Sequence, residues 1–277
     1  MLTEVKAYSS WLSAPTLQLD ANGRAENDLI QIQNINGVDP VKASVNTSPY
    51  GSVVGTSYTG SSIPSRNIVL TLKPNPNWDT WTYAKLRRLL YSYFMPKLIV
   101  RLVFYSDDMV PVEIYGVVEG VDVNIFSKEP LVQVSIICPD PYFTALNPTV
   151  LVGVNDELKT FVYNGNVESG MIVKVSHVSG APTSIGIQIG DPKITYFAVV
   201  ADVTSSKYFE LSSIPMQKYV QNVNIGTGVI DNLLSNVYAQ EGSLWPVLQP
   251  GENEFTVVTD NGVQDYQLIF YERFGGL

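Results

Sequence analysis

Apolar residues recur loosely through the opening of the chain at Leu2, Val5, Tyr8 and Trp11, and again at Leu17 and Leu19. This loose alternation predicts a first strand pair. Asp20-Ala21-Asn22-Gly23 follows, and its Asn-Gly pair offers the positive φ angles of a tight turn. Leu29, Ile30, Ile32 and Ile35 then run to a second Asn-Gly at 36–37. Residues 43–66 are rich in Gly, Pro, Ser and Thr and have no helical period, which predicts an extended arm or long loop. A loop of this length beside a compact domain usually works outside it. Tyr50, Val53, Val54 and Tyr58 supply apolar contacts that a solvated linker does not need.

Arg66–Leu72 alternates as a strand. The one convincing helical period spans Trp78 to about Tyr93, with Trp78, Trp81, Leu86, Leu89, Leu90, Tyr93 and Phe94 spaced by about three and four residues. Asn77 or Asp79 can cap its start and Pro96 stops it. Strands are predicted at Leu98–Tyr105, Val110–Glu119 and Leu131–Cys138, the last two forming a pair linked through Asp122–Pro130. Pro139-Asp140-Pro141 breaks the sheet, because proline cannot donate to a ladder. A domain boundary is expected near Pro148, giving domains 1–148 and 149–277.

The second half lacks a strong helix. Short strands are predicted at Thr160–Asn164, Met171–His177, Ser184–Ile189, Phe197–Val203, Lys207–Leu211, Tyr219–Val223, Trp245–Leu248, Asn253–Thr259 and Tyr266–Tyr271. Asn164-Gly165, Pro250-Gly251 and Asn261-Gly262 punctuate them at the intervals of an antiparallel sandwich.

Composition agrees with strands: 45% of residues are hydrophobic and only 16% charged, with 16 tyrosines, in a chain long enough for two separate cores. The net charge of −9 divides unevenly, 11 basic against 13 acidic residues in 1–148 and 6 against 13 in 149–277. With Lys85, Arg87 and Arg88 as the only basic cluster, nucleic acid is not an expected partner. No apolar run approaches the roughly 18 residues of a membrane span, and residues 1–12 do not read as a signal peptide. A single cysteine, Cys138, fits maturation in a reducing cytoplasm.

Catalysis finds little footing. His177 is the only histidine, one position on a predicted strand, and Cys138 falls in the other predicted domain. One Cys and one His cannot build a Cys/His metal site. Asp20-Ala21-Asn22-Gly23 and Asp260-Asn261-Gly262 carry oxygen ligands, but Arg24 puts a cation where a calcium loop needs its third ligand, so both read as hairpin turns. Asp107-Asp108, Asp156-Glu157 and Glu252/Glu254 read as loop acids, and Gly51, Gly55 and Gly60 lack the Lys-Ser/Thr of a phosphate loop. No cofactor, metal or catalytic residue is assigned, and the chain is not read as an enzyme.

The order of these signals resembles the distal tail proteins of long-tailed phages. Over 28–143 the resemblance rests on Ile35-Asn36-Gly37, Tyr50-Gly51 with Gly55, Arg66-Asn67-Ile68-Val69-Leu70, the Trp81–Tyr93 helix, Pro96, the Leu98–Phe104 strand, Gly116-Val117-Val118, and Val132–Ile137 running into Cys138-Pro139-Asp140-Pro141-Tyr142-Phe143. In the second half it rests on Tyr163-Asn164-Gly165 with Glu168, Leu248-Gln249-Pro250-Gly251-Glu252-Asn253 and Tyr271-Glu272-Arg273-Phe274-Gly275-Gly276.

The resemblance implies a mainly β chain, an N-terminal β-barrel or sandwich-like ring domain with one α-helix followed by a galectin-like antiparallel β-sandwich. It implies a homo-hexameric ring at the virion tail tip, assembled in the host cytoplasm, between a tail tube protein and a tail hub protein. The second domain would hold side fibres or receptor-binding proteins. No carbohydrate-binding module is inserted between the halves. A head-to-tail ring needs two different surfaces on each subunit, so Tyr50, Gly51, Val53, Val54, Gly55, Tyr58 and Arg66 are expected at the subunit interface. Pro139, Pro141, Tyr142 and Phe143 are expected at the domain junction. The alternative is a carbohydrate-binding module attaching to the host surface, with Trp245, Tyr238 and Tyr266 as its aromatic platform.

Overall fold

The computed structural model describes the chain except residues 11–15, 22–28, 52–53, 125–129, 191–193, 200–202 and 240–244; for 194–199 and 238–239 it describes the backbone. The chain divides into two compact units, Met1–Leu146 with Phe274–Leu277, and Asn147–Arg273.

The first unit contains β1 (Leu2–Ser9), β2 (Leu17–Asp20), β3 (Ile30–Asn36), β4 (Ser44–Pro49), β5 (Thr56–Ser62), β6 (Arg66–Pro74), helix α1 (Tyr83–Phe94), β7 (Ile99–Ser106), β8 (Val112–Val123), β9 (Val132–Cys138) and β10 (Phe143–Ala145). Seven strands close into a barrel in the order β8-β7-β1-β2-β3-β6-β9, with β9 pairing back onto the edge of β8 opposite β7, and β10 pairs with that same edge at Val112 and Glu113. Closure removes the open edges that a flat sheet would expose. Every second residue of β6 faces inward, Ile68, Leu70 and Leu72, where they meet Val5, Leu19, Leu102, Phe104, Val134 and Ile136 in a filled core. Leu90, Tyr93 and Phe94 of α1 join that core.

The helix begins later than its periodicity predicts. Trp78 has φ 37° and is exposed, and Asn77 Oδ1 instead accepts from Thr80 N (3.2 Å), Thr80 Oγ1 (2.9 Å) and Trp81 N (2.9 Å), closing a separate turn. Thr82 is the N-cap and Met95 the C-cap, immediately before Pro96. The Asn22-Gly23 turn lies outside the described residues. β2 does not hairpin into β3: their one pairing, Asp20 with Gln31, is parallel.

The second unit contains β11 (Thr149–Val154), β12 (Lys159–Tyr163), β13 (Met171–Ser179), β14 (Ser184–Ile189), β15 (Ile194–Val199), β16 (Lys207–Ser212), β17 (Tyr219–Asn224), β18 (Ile230–Asn232), β19 (Val237–Ala239), β20 (Gly251–Thr259) and β21 (Val263–Phe270). They form two antiparallel sheets, β11-β21-β13-β16-β17-β18 and β12-β20-β14-β15-β19. Val173, Phe209, Leu211 and Leu268 from one sheet pack with Ile185, Ile187, Phe255 and Val257 from the other, which makes the unit a sandwich. The molecule is thus mainly β, with α1 its one α-helix among the described residues.

Two expectations fail here. Asp260-Asn261-Gly262 is not a hairpin turn, because β20 and β21 belong to different sheets and the segment carries the chain across the sandwich. Asp260 Oδ1 steadies this crossing by accepting from Thr183 N (2.9 Å) and Ser184 N (3.2 Å), and its bond from the Thr183 hydroxyl leads the interactions that hold its carboxyl below the usual range. Trp245–Leu248 forms no strand; only an isolated bridge joins Leu248 to Ser169.

Candidate assembly interface

Residues 44–62 form a hairpin rather than a loop. β4 and β5 pair from Ser44 with Ser62 to Pro49 with Thr56, with a register shift between Asn46 and Thr47. They constitute a two-stranded sheet of their own, joined to no barrel strand. Thr56 and Tyr58 suit a strand because β-branched and aromatic side chains fit pleated backbone. Ser57 Oγ donates to Ser48 O (3.3 Å), and Tyr58 and Ser61 share a hydroxyl bond of 2.8 Å.

The hairpin is exposed along its length. Tyr50 and Tyr58 expose 55% and 66% of their surface, and Val45, Val54 and Ile63 are exposed with them. Positions 43–65 carry no charged side chain. Exposed strands are ordinarily kept from pairing by Lys, bulges or cover, and this one has a bulge but no charge.

The structure brings most of the expected interface residues together. Tyr50, Gly51, Val54 and Gly55 stand at the hairpin's end and Tyr58 on β5; Val53 lies outside the described residues. Arg66 is the correction. It is 2% exposed and therefore cannot meet a neighbour. Its guanidinium donates to Pro141 O (Nε, 2.6 Å), Gly37 O (Nη1, 2.7 Å), Asp39 O (Nη1, 2.9 Å) and Gly275 O (Nη2), and its Cζ lies 4.5 Å from the Phe143 ring centroid. Burial pulls its pKa below the ordinary arginine value, opposed by Cys138, Asp39 and Tyr142. A planar cation with several fixed donors is suited to this work because it can satisfy several carbonyls at once.

The residues expected at the domain junction belong to the same neighbourhood. Phe143 is buried edge-on to Phe104 with centroids 5.5 Å apart, Pro141 supplies a carbonyl to Arg66, and Tyr142 N donates to Asp140 Oδ1 (3.2 Å). Gly37 explains the Asn36-Gly37 signal: it has φ 85°, and a Cβ there would stand 2.0 Å from Asn67 O. Sequence reasoning missed Asp39 and Leu277, and gave Gly275 no role beyond its place in the Tyr271–Gly276 run, because their contributions are backbone groups with no residue-type signature.

The chemical candidates do not converge. Cys138 is fully buried in the first unit, and burial pushes its thiol up to about 12, far from a thiolate nucleophile at neutral pH. His177 lies on β13 of the second unit, opposite Gln264. Glu252 and Glu254 are not loop acids but lie on β20. Asp108 Oδ1 accepts from Ser106 Oγ (2.6 Å), and Glu157 pairs with Lys159 at 2.6 Å. Among the described residues no three His, Cys, Asp or Glu cluster to hold a metal.

The proposed aromatic platform loses Tyr266. Tyr266 is a core residue packed on Phe255 (5.4 Å), with burial pushing its hydroxyl up to about 12. Trp245 packs partly against the same core with Lys218 Nζ 5.5 Å from its ring, and the Tyr238 side chain lies outside the described residues.

No protein-family model matches the chain, and no curated protein matches it in sequence. Solved structures do match it over almost its whole length. The Dit protein of phage SPP1, described as a paradigm of the hub adsorption apparatus in phages that infect Gram-positive bacteria, superposes with a TM-score of 0.68 at 15% identity, covering 98% of this chain and 99% of that one. A chain of the phage P2 baseplate in its activated conformation with Ca gives a TM-score of 0.50 at 9% identity, covering both chains fully. The structural neighbours are thus phage hub and baseplate proteins, the class that the sequence resembles. At these identities the likeness is one of fold.

Proposed function

We propose that this protein is a structural component of a phage tail tip, a distal tail protein whose copies form a hexameric ring between the tail tube and the hub. The observation that carries the reading is a fold shared from end to end, barrel and sandwich together, with the SPP1 Dit protein. The first unit is the ring-forming domain in this reading. The second is a galectin-like sandwich turned to the side fibres or receptor-binding proteins, and the protein takes part in no chemical step.

The hairpin supports the reading independently. An isolated two-stranded sheet is marginal in water, and an uncharged one invites pairing. A neighbouring subunit that covers β4 and β5 removes both liabilities, and contact between an arm on one face and a different surface on the next copy is the head-to-tail arrangement that closes a ring. The overall charge of −9 suits a ring through which DNA passes, since an acidic wall does not retain phosphate. Light scattering behind size exclusion tests the reading. The full chain is expected to run as a hexamer and a chain lacking 47–62 as a soluble monomer; an intact hexamer from the deleted chain contradicts the role given to the arm.

A further inference from the structure

The arm leaves the barrel after β3 and returns at Arg66, so its direction is decided by its two roots. Both are tied to one guanidinium. Gly37 and Asp39 on the outgoing root and Pro141 before β10 each give Arg66 a carbonyl, and the remaining acceptor, Gly275, lies beyond the whole second unit in the chain. The tail makes further contacts at the outgoing root. Leu277 N donates to Val38 O at 3.0 Å, and Gly276 lies so close to Pro40 that a Cβ would stand 2.7 Å from its Cδ and 2.8 Å from its N. Phe274 packs against the first unit's core.

A buried guanidinium with its donors satisfied is rigid, whereas one that loses an acceptor must recruit water or move. Removing the tail takes away one of these four acceptors and the backbone bond from Leu277 N to Val38 O, and so loosens both roots together. We propose that residues 274–277 are a latch that fixes the orientation of the 44–62 arm through Arg66, so that the arm is set only after the chain has been made past Arg273. The consequence for assembly rests on the reading of the arm as a ring contact; the latch itself does not, because it is a property of the single chain.

Spin labels at Ser57→Cys on the arm and Gln133→Cys on β9 read the arm's orientation by pulsed electron resonance at a dilution that keeps the chains apart. Buried Cys138 is left in place. The parent pair is expected to give one narrow distance distribution. Arg66→Lys, Gly276→Val and deletion of 275–277 are each expected to broaden it by about twofold or more, as a locally released segment does. Gly276→Val is the discriminating variant, since it displaces the tail from Pro40 while leaving Arg66 and Phe274 in place.

Amide exchange of β7 and β8 is measured alongside. A broadened arm with those strands still protected supports the latch. An unchanged distribution in Gly276→Val and in the deletion overturns it, as does a parent distribution that is already broad. Loss of protection in β7 and β8 together with the arm also overturns it, by making the tail a general support of the barrel. Rings that still form from chains with a broadened arm count against the arm as an assembly element and leave the latch standing.

Discussion

Arg66 exchanges hydration for four carbonyl oxygens and the face of Phe143, and the trade holds only while those four bonds are kept. Arg66→Met is therefore expected to destabilise the first unit by about 3 kcal/mol or more, read as a lower urea midpoint for that unit. Gly37→Ala carries a different cost. Positive φ and a Cβ pressed on Asn67 O force the root to shift, for an expected loss of about 2 kcal/mol in the same melt. Cys138 gives the barrel a signature at alkaline pH. Its thiol titrates at about 12 when folded against 9.0 for a free thiol. A raised folded pKa gives stability that is full below the unfolded value and disappears as pH climbs through the folded one. Stability is thus expected to fall by about 1.4 kcal/mol per pH unit above about 9. Cys138→Ala removes that contribution, so parent and variant melts with the same slope between pH 9 and 10.5 (about the accessible range) would refute the assignment.

At the scale of elements, the arm and helix show which signals a sequence carries. Arg66–Leu72 was legible because polar and apolar residues alternate across a barrel wall with one filled side, and β14 begins and ends where its pattern does. The α1 start was not legible, since Trp78 and Trp81 continue the helical period while Asn77 diverts the backbone into its own turn. Asn77→Ala is expected to cost about 1 kcal/mol, as loss of a side-chain cap does, and equal melts for parent and variant would deny Asn77 that role. β11 carries no strand signal in the sequence, because Val150, Val152 and Val154 are exposed and Thr149–Val154 shows no contrast between its two faces. Asn261-Gly262 announces a turn but not which sheet the chain enters next. The arm was visible as an uncommitted stretch rich in small and polar residues; its pairing was not, because a hairpin of Ser, Thr and Gly has no apolar face to reveal its register.

The whole molecule contains a closed barrel and a sandwich with open edges, and its exposed uncharged strands β4 and β5 form a hairpin of their own. Cys138 is buried in the first unit and His177 lies on β13 of the second, while the fold resembles those of phage hub and baseplate proteins. The proposed ring is best judged by whether copies meet. Electron microscopy of the purified full chain is the direct measurement. The account predicts six-fold rings with hairpin density lying across the neighbouring barrel; particles that remain single copies at every concentration and ionic strength contradict it.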